Sequence, residues 1–227
     1  MTTVVTAAAP VAAAATPAAA PAPAAAESGP SPKAVLQGEA GTVWTISFLG
    51  DDRPLWLEVG FGGGEHMVAM AARYPQIGII GCEPFINGVA MLLGKIRAAG
   101  VSNVSVHPGD ARDLMDVLPD ASVARAFLNY PDPWPKARHH KRRIIQSGTL
   151  NLFASRLKKG GVLHVATDHA GYAEWIDELV EVEPSLDYKG WPWPECPQLV
   201  DRQVITKFEG KGLDKEHVIT EYLWEKK

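Results

Sequence analysis

From residue 55 onward, short apolar runs alternate with segments of helical period, and this alternation limits the fold more than any other feature of the chain. The runs that predict strands are 55–59, 77–82, 104–106, 126–128 and 162–166. The segments that predict helices repeat apolar side chains at i, i+3 and i+4 within 67–74, 89–96, 145–153 and 172–180. Such alternation predicts a doubly wound α/β domain, with a mostly parallel sheet covered on both faces.

The pattern changes after Pro184. A Trp/Pro-rich stretch precedes two strand-like runs, 203–208 and 218–224, which are separated by glycines and charges. Two such strands are expected to form an antiparallel pair that closes the sheet. Ligands of a doubly wound sheet bind at the carboxyl ends of its strands. We expect four features that follow predicted strands to meet there: the glycines of 60–64, Asp110, Asp132 and Asp168.

The N-terminal segment lacks this pattern. Positions 7–26 contain only Ala, Pro, Val and Thr, and the prolines interrupt any helix before it reaches a stable length. We therefore expect residues 1–32 to be a disordered tail and 40–227 to form one domain. A secretory signal is not expected, because no charge precedes Glu27 and prolines break the apolar stretch. No later window is apolar over the length of a membrane span.

Cysteine and histidine usage argues against two further kinds of site. The chain has 2 cysteines, Cys82 in an apolar run and Cys196 in a Pro-rich stretch. They support neither a disulfide framework nor a cysteine metal site, so a reducing, cytoplasmic location is expected. His139 and His140 are adjacent and have no third ligand at a suitable spacing, so no metal is expected.

The segment L-E-V-G-F-G-G-G over 57–64 ends the first predicted strand and opens the first helix. Gly60 and Gly62 permit positive φ angles and let a ligand approach the backbone closely. A dinucleotide fingerprint would need a third glycine at the position of Glu65. A second carboxylate, Glu58, is unfavourable beside a pyrophosphate and favourable beside an ammonium or sulfonium group. The loop therefore favours S-adenosylmethionine over a dinucleotide.

Two more acidic residues fit a nucleoside at the same edge. Glu83 ends the second predicted strand, where an acidic residue accepts hydrogen bonds from the hydroxyls of a ribose. Asp110 follows the third strand and is placed to serve the adenine or the loop around it. The alternative is a glycine turn that only packs the helix against the strand, with Glu83 as a solvated strand end.

A stiff acidic turn follows the fourth predicted strand, where residues 129–135 read N-Y-P-D-P-W-P. Pro131 and Pro133 fix two φ angles around Asp132 and remove two backbone donors. Trp134 offers a flat face on which a base can stack. The alternative is a surface turn whose tryptophan covers the core, since Pro and Asp are common in structural turns.

A run of basic residues comes directly after this turn. Its members are Lys136, Arg138, Lys141, Arg142 and Arg143, with His139 and His140 among them. The run has no interleaved acidic residue to pair with, which favours phosphate contacts over a solvated helix start. A nucleic-acid partner is therefore predicted although the net charge of the chain is −4.

Taken in order, these segments resemble the tRNA (guanine-N7)-methyltransferase family over residues 55–227. The resemblance is carried by L-E-V-G-F-G-G-G at 57, G-C-E-P at 81, Y-P-D-P-W-P-K-A-R-H-H-K-R-R at 130, G-G-V-L-H-V-A-T-D-H at 160 and T-K-F-E at 206. It implies a class I, Rossmann-like methyltransferase fold with seven strands and S-adenosyl-L-methionine as the cofactor. It also implies tRNA as the partner and N7 of guanosine 46, in the variable loop, as the methylated atom.

The resemblance further implies roles for individual residues. Asp132 would lie at the reaction centre as the catalytic residue. The cofactor would be contacted by Glu58, Gly60, Gly62, Glu83, Asp110 and Asp132. The substrate would be contacted by Lys136, Asp168, Thr206, Lys207, Phe208 and Glu209. The tRNA would lie along Arg138, His139, His140, Lys141, Arg142 and Arg143.

Two departures from the family pattern leave alternatives open. Residues 39–52 contain no Lys or Arg, where family members usually carry an Arg-rich arm, and Pro135 stands where a His is common. One alternative is a class I methyltransferase that acts on another RNA or a small nucleophile; another is a noncatalytic tRNA-binding homologue. A nicotinamide oxidoreductase ranks last, because Glu58 and Glu65 oppose a dinucleotide. Family members act alone or with a second subunit, so a monomer, a homodimer and a heteromer all remain candidates.

Deletion of residues 1–26 is expected to leave methyl transfer nearly unchanged, because the segment holds no charged side chain and no core pattern. Initial rates of the full-length and truncated proteins, measured at saturating tRNA, check this expectation. A severe loss of rate in the truncated protein would contradict it.

Overall fold

The structure is a computed structural model that describes residues 53–190 and 218–227, together with two short strands at 35–37 and 43–45. Its strands are β1 Val35–Gln37, β2 Val43–Thr45, β3 Leu55–Val59, β4 Gly78–Cys82, β5 Val104–His107, β6 Val123–Asn129, β7 Leu157–Thr167, β8 Leu186–Tyr188 and β9 Thr220–Lys226. Its α-helices are α1 Glu65–Arg73, α2 Ile86–Ala99, α3 Ala111–Val117, α4 Ser147–Arg156 and α5 Ala170–Asp177. A 3-10 helix spans Ala137–Arg142, and β1 pairs with β2 in antiparallel fashion.

One sheet contains the strands from β3 to β9, in the order β5-β4-β3-β6-β7-β9-β8. Strands β3 to β7 are parallel, and β9 is antiparallel to both of its neighbours, β7 and β8. In the centre of the sheet, Leu57 aligns with Ile80 of β4 and with Ala126 of β6. The predicted doubly wound, mostly parallel sheet with an antiparallel C-terminal closure is confirmed.

The central strands are covered on both faces, which explains why they read as continuous apolar runs. β4 is buried along its whole length. Leu57 and Leu163 lie in a core that includes buried side chains of α3, α4 and α5. Trp56 lies in a second core, with Met67 of α1 and Leu92 of α2. The alternation of helices therefore produces two cores, one on each face of the sheet.

Helix α1 shows how the local sequence sets the bounds of an element. It begins after Gly64, whose φ of 76° is left-handed. Glu65 in the first turn and Arg73 in the last turn complement the helix dipole. Met67 and Met70 form the buried stripe that attaches the helix to the sheet. Among the helices that the structure describes, none combines the length and apolarity of a membrane span.

The structure differs from the sequence prediction at several elements. The pattern does not predict α3, with 7 residues, or β8, with 3 residues, because such short elements barely show a period. Leu93, assigned to the buried stripe of α2, is 53% exposed. Helix α5 ends at Asp177, earlier than predicted. The run 203–208 lies outside the described residues, and β8 is the strand that pairs with the outer side of β9.

The direction of winding reverses between β3 and β6. From β3 the chain proceeds outward through β4 to β5, and β6 returns to the other side of β3. The loops after β3 and β6 therefore diverge and leave a crevice at the carboxyl edge, where doubly wound folds bind their ligands. The glycine loop, at 60–64, follows β3, and the turn that carries Asp132 follows β6.

Candidate active site

The glycine loop has glycines where its backbone requires them. Gly60 and Gly62 have φ angles of 71° and 54°, in the left-handed region that favours glycine. The Gly60 N–H donates a hydrogen bond of 2.8 Å to the carbonyl of Cys82, which ties the loop to the end of β4. A Cβ placed on Gly60 would meet no heavy atom within 4 Å. This side of the loop therefore has room for a ligand close to the backbone.

Glu83 connects the end of β4 to the middle of the glycine loop. Its Oε2 accepts a hydrogen bond from the Gly62 N–H, and its Oε1 accepts one from the Phe85 N–H, both at 2.9 Å. The residue is 9% exposed. A carboxylate has about four lone-pair sites, so both oxygens keep capacity for the hydroxyls of a ribose. The carboxylate is thus held in place before any ligand binds.

Glu58 is paired with a histidine that the sequence prediction missed. Glu58 is 3% exposed, and its Oε2 lies 2.8 Å from Nδ1 of His66 in the first turns of α1. The His66 ring also meets Phe127 of β6 edge-on, with centroids 5.0 Å apart. The contact between Glu58 and His66 joins a strand to a helix across the glycine loop. The spacing of these two residues in the sequence matches no motif that would predict the contact. The pair orients the carboxylate that is predicted to face a cationic group.

Asp110 caps α3 and is held by Arg112. Its Oδ1 accepts a hydrogen bond of 2.9 Å from the Arg112 N–H, and the guanidinium contacts both carboxylate oxygens at 3.0 and 2.5 Å. The side-chain hydrogen bonds from Arg112 lower the pKa of Asp110 below its ordinary value. The start of α3 thus gives Asp110 a structural role beside the predicted contact with adenine.

The turn after β6 holds Asp132 at the surface on a strained backbone. Tyr130 and Trp134 have φ angles of 56° and 43°, a left-handed conformation that costs a residue with a side chain roughly 1–2 kcal/mol. The Tyr130 N–H donates a hydrogen bond of 2.8 Å to the carbonyl of Ala166 in β7. Asp132 is exposed between its two prolines. Strained residues cluster at functional sites and persist only where the surroundings hold them.

The basic residues after the turn lie mostly at the surface. Lys136, Arg138, Lys141 and Arg142 are exposed, and His139 and His140 are half-buried. The Arg142 guanidinium lies 5.0 Å from the centroid of the Trp134 ring, and His139 meets the same ring edge-on at 5.8 Å. The ring that is predicted to stack on a base is therefore already packed by two basic side chains. The exposed cations begin directly beside the turn that carries Asp132.

Arg143 is buried, unlike its basic neighbours, so the expectation that it lies along the tRNA is corrected. The residue is 3% exposed, and its Nε donates a hydrogen bond of 2.9 Å to the carbonyl of Pro133. Its guanidinium packs over the rings of Tyr172 and Trp175, an arrangement that arginine forms readily. Its low exposure and these contacts place the guanidinium inside the protein and not toward a phosphate. Burial lowers the pKa of this guanidinium.

The ends of β5, β6 and β7 carry further polar groups at the same edge. Asp168 is half-buried directly after β7. Three of the buried side-chain atoms for which the described residues show no hydrogen-bond partner lie at this edge: His107 Nε2, Asn129 Nδ2 and His169 Nδ1. Unsatisfied buried polar atoms are rare in native proteins, and a polar ligand at this edge would supply partners. The predicted substrate residues Thr206, Lys207, Phe208 and Glu209 lie outside the described residues.

This arrangement fits S-adenosylmethionine by its chemistry. The open side of Gly60 admits a ligand to the backbone, the held carboxylate of Glu83 suits a ribose, and buried Glu58 suits a cation. The unpaired polar atoms at the strand ends suit the remaining polar groups of such a ligand.

Comparisons with known proteins identify relatives of this chain. A family model described as "Putative methyltransferase" matches residues 52–222. The tRNA (guanine-N(7)-)-methyltransferase of Corynebacterium efficiens is 59% identical over 172 residues, which cover 75% of this chain and 68% of that protein. The enzyme of the same name from Cereibacter sphaeroides is 70% identical over 171 residues, which cover 73% of this chain and 67% of that protein. The chain belongs to the tRNA (guanine-N7)-methyltransferase family.

A solved structure supports the fold of this family member. It is that of a protein from Streptococcus mutans described as "a putative methyltransferase" in complex with SAH, with a TM-score of 0.51 and 12% identity. The match covers 77% of this chain and 89% of the other. Because the identity is low, the likeness concerns the fold alone, and it agrees with the class I methyltransferase architecture that the sequence predicts.

Gly88→Ala is expected to weaken cofactor binding, because a Cβ at Gly88 would lie 2.4 Å from the carbonyl oxygen of Gly62 and 3.1 Å from Cγ of Glu83. Relieving that overlap displaces the loop at a cost of about 1–3 kcal/mol, which corresponds to roughly a tenfold to hundredfold weaker affinity. Calorimetric titration with S-adenosylhomocysteine measures the effect. Gly94→Ala is the matched control, since a Cβ at Gly94, also in α2, meets nothing within 4 Å. Equal affinities of the two variants would contradict the prediction.

Proposed function

We propose that this protein transfers the methyl group of S-adenosylmethionine to N7 of guanosine 46 in the variable loop of tRNA. The observation that carries the proposal is the position of Asp132. Its exposed carboxylate follows β6, the strand that neighbours β3 and its glycine loop, and a run of exposed cations begins four residues later. One edge of the sheet thus combines a nucleoside site with a surface for a polyanion. With tRNA as the substrate, the enzyme would act in the cytoplasm.

The cofactor is assigned to the crevice on the β3 and β4 side. Glu83 would accept hydrogen bonds from the ribose hydroxyls, while the backbone at Gly60 and Gly62 lies against the ligand. Glu58, oriented by His66, would face the cationic end of the ligand, where opposite charges attract. When bound, the cofactor supplies a methyl group on a sulfonium, which a nucleophile can attack.

The acceptor requires little from the protein by way of proton transfer. Guanine N7 presents a free acceptor lone pair, so no general base must act before N7 attacks the methyl carbon. The rate then depends mainly on holding the two reactants in line, which in favourable cases is worth about 7–11 kcal/mol. The residues of the turn after β6 therefore act by position.

Asp132 and Asp168 are the candidates for holding the guanine. A carboxylate accepts hydrogen bonds from N1–H and the exocyclic amine of guanine, which turns N7 toward the methyl group. Adenine lacks both of these donors and would leave the carboxylate without these hydrogen bonds, which disfavours adenine at the site. The stiff proline-flanked turn keeps Asp132 in one geometry.

The tRNA backbone is assigned to the exposed cations. Lys136, Arg138, Lys141 and Arg142 are exposed on the segment that follows the turn. Each phosphate contact releases condensed counterions, so affinity contributed by such residues falls as salt rises. Sequence-specific recognition of RNA favours unstacked bases in loops, which suits a site that must reach N7 of one guanosine.

The deciding test uses two tRNA transcripts that carry G or A at position 46 and are otherwise identical. The protein is incubated with labelled S-adenosylmethionine and each transcript, and any methyl group is mapped by strand cleavage specific for N7-methylguanosine. Label on the G46 transcript alone is the expected result. Label on both transcripts would indicate a different base, and tRNA binding without transfer or cofactor binding would indicate a noncatalytic homologue.

Asp132→Ala is expected to abolish turnover, because the variant loses the carboxylate that faces the reaction. The turnover number with the G46 transcript is compared with that of Asp116→Ala, a control on an exposed acid of α3. Full activity in Asp132→Ala would remove the turn from the mechanism. Circular dichroism establishes that both variants are folded.

Arg142→Ala is expected to weaken tRNA binding and to reduce its dependence on salt by about one phosphate contact. The dissociation constant is measured at several salt concentrations by fluorescence anisotropy. Arg97→Ala, which removes an exposed charge at the end of α2, serves as the control and should leave the slope unchanged. An unchanged slope in Arg142→Ala would show that this side chain contacts no phosphate.

A further inference from the structure

Arg143 differs from every other member of the basic run in its surroundings. It is 3% exposed, whereas Lys141 and Arg142 directly before it are exposed. The backbone accounts for the difference, because Arg143 directly follows the 3-10 helix and has φ −58° and ψ 135°. This extended conformation turns its side chain away from the surface that its neighbours share. Because Arg143 is turned inward, it is not available for the predicted contact with RNA. No other role has been assigned to it so far.

The partners of Arg143 connect two elements of the candidate site. Its Nε donates a hydrogen bond to the carbonyl of Pro133, directly after Asp132, at 2.9 Å. Its guanidinium lies 4.9 Å from the centroid of Tyr172 and 5.2 Å from the centroid of Trp175, both in α5. Helix α5 follows β7 and thus begins just after Asp168. The side chain therefore connects the turn that carries Asp132 to α5, the helix that follows Asp168.

The aromatic side of this bridge is itself fixed. The hydroxyl of Tyr172 accepts a hydrogen bond from the Ile145 N–H at 3.1 Å, and Trp175 Nε1 donates one to the Ile145 carbonyl at 2.8 Å. Both rings are therefore anchored to the backbone two residues after Arg143. A planar guanidinium can stack on such rings and donate sideways at the same time, which an ammonium cannot do.

The other end of the bridge is the strained turn. Tyr130 and Trp134 have positive φ angles on either side of Asp132, and such a conformation persists only where its surroundings hold it. The bond from Arg143 reaches Pro133, which lies inside this strained segment. The partners of Arg143 among the described residues are one carbonyl oxygen and two aromatic rings. Arg143 therefore acts by holding these groups in place.

We propose that Arg143 is a positioning residue, which holds the turn at 131–134 against α5 and thereby fixes Asp132 relative to Asp168. The proposal rests on the function proposed above insofar as Asp132 acts in methyl transfer. Arg143 touches neither cofactor nor tRNA in this role. It differs in kind from Lys136, Arg138, Lys141 and Arg142, which are assigned to phosphates.

The test compares Arg143→Met and Arg143→Lys with Lys141→Met, an equal loss of charge on an exposed neighbour. Methionine keeps much of the aliphatic stem and removes the guanidinium. Lysine keeps the charge and most of the packing, so it also serves if the methionine variant fails to fold. Turnover number, KM for tRNA and the salt dependence of tRNA binding are measured for each variant.

In both Arg143 variants the turnover number is expected to fall by about a hundredfold, the scale of a displacement of roughly 1 Å at a reacting group. KM for tRNA and the salt slope stay close to those of the unmodified protein. Lys141→Met is expected to show the opposite result. Its turnover number stays close to normal, whereas its KM for tRNA rises and its salt slope falls by about one phosphate contact. A reduced slope in Arg143→Met, or a normal turnover number in Arg143→Lys, would overturn the proposal.

A second measurement is independent of catalysis. Amide hydrogen exchange, followed by mass spectrometry of peptides that cover 128–136, reports how often the hydrogen bond from the Tyr130 N–H to the Ala166 carbonyl opens at the base of the turn. Faster exchange is expected in both Arg143 variants and unchanged exchange in Lys141→Met. Unchanged exchange in the Arg143 variants would contradict the positioning role, even if methyl transfer had been confirmed. Conversely, the unmodified protein could fail to transfer a methyl group while the Arg143 variants exchange faster. That result would refute the proposed function but would support the structural role of Arg143.

Discussion

The reversal of winding between β3 and β6 is the constraint on which the rest of the structure depends. Crossovers between parallel strands are almost always right-handed, so helices that follow strands on opposite sides of β3 cover opposite faces of the sheet. Accordingly, α1 and α2 contribute to one core and α3, α4 and α5 to the other. The loops after β3 and β6 are drawn toward different faces and separate. The glycine loop and the turn with Asp132 owe their shared crevice to this separation.

The local sequence was sufficient to predict the features that depend only on residues near them in the chain. The long apolar runs predicted β3, β4, β6 and β7, because strands buried on both faces need apolar side chains throughout. The glycine loop and the proline-flanked turn were located correctly in the chain, since unusual backbone angles demand particular residues. Short elements such as α3 and β8 escaped because a period cannot be read from so few residues.

Contacts between distant segments could not be predicted in the same way. The pairing of Glu58 with His66 crosses from a strand to a helix, and no spacing rule connects them. The hydrogen bonds from Arg112 to Asp110 were also not predicted, although the two residues lie close in the sequence. Arg142 and Arg143 are adjacent and chemically identical, yet one is exposed and one is buried. Composition describes the run as a whole, whereas backbone angles at its end decide which member turns inward.

The place of β9 in the sheet has a consequence for how the chain is made. β9 is the last strand in the chain that the structure describes, yet it lies between β7 and β8. Among the strands that the structure describes, β9 alone pairs with the outer edge of β7 and joins β8 to the sheet, so both pairings must wait until 220–226 have been synthesised. An unpaired strand edge invites pairing with other chains. Between the synthesis of β7 and that of β9, the nascent protein would therefore expose this edge of β7, and pairing with β9 would then cover it.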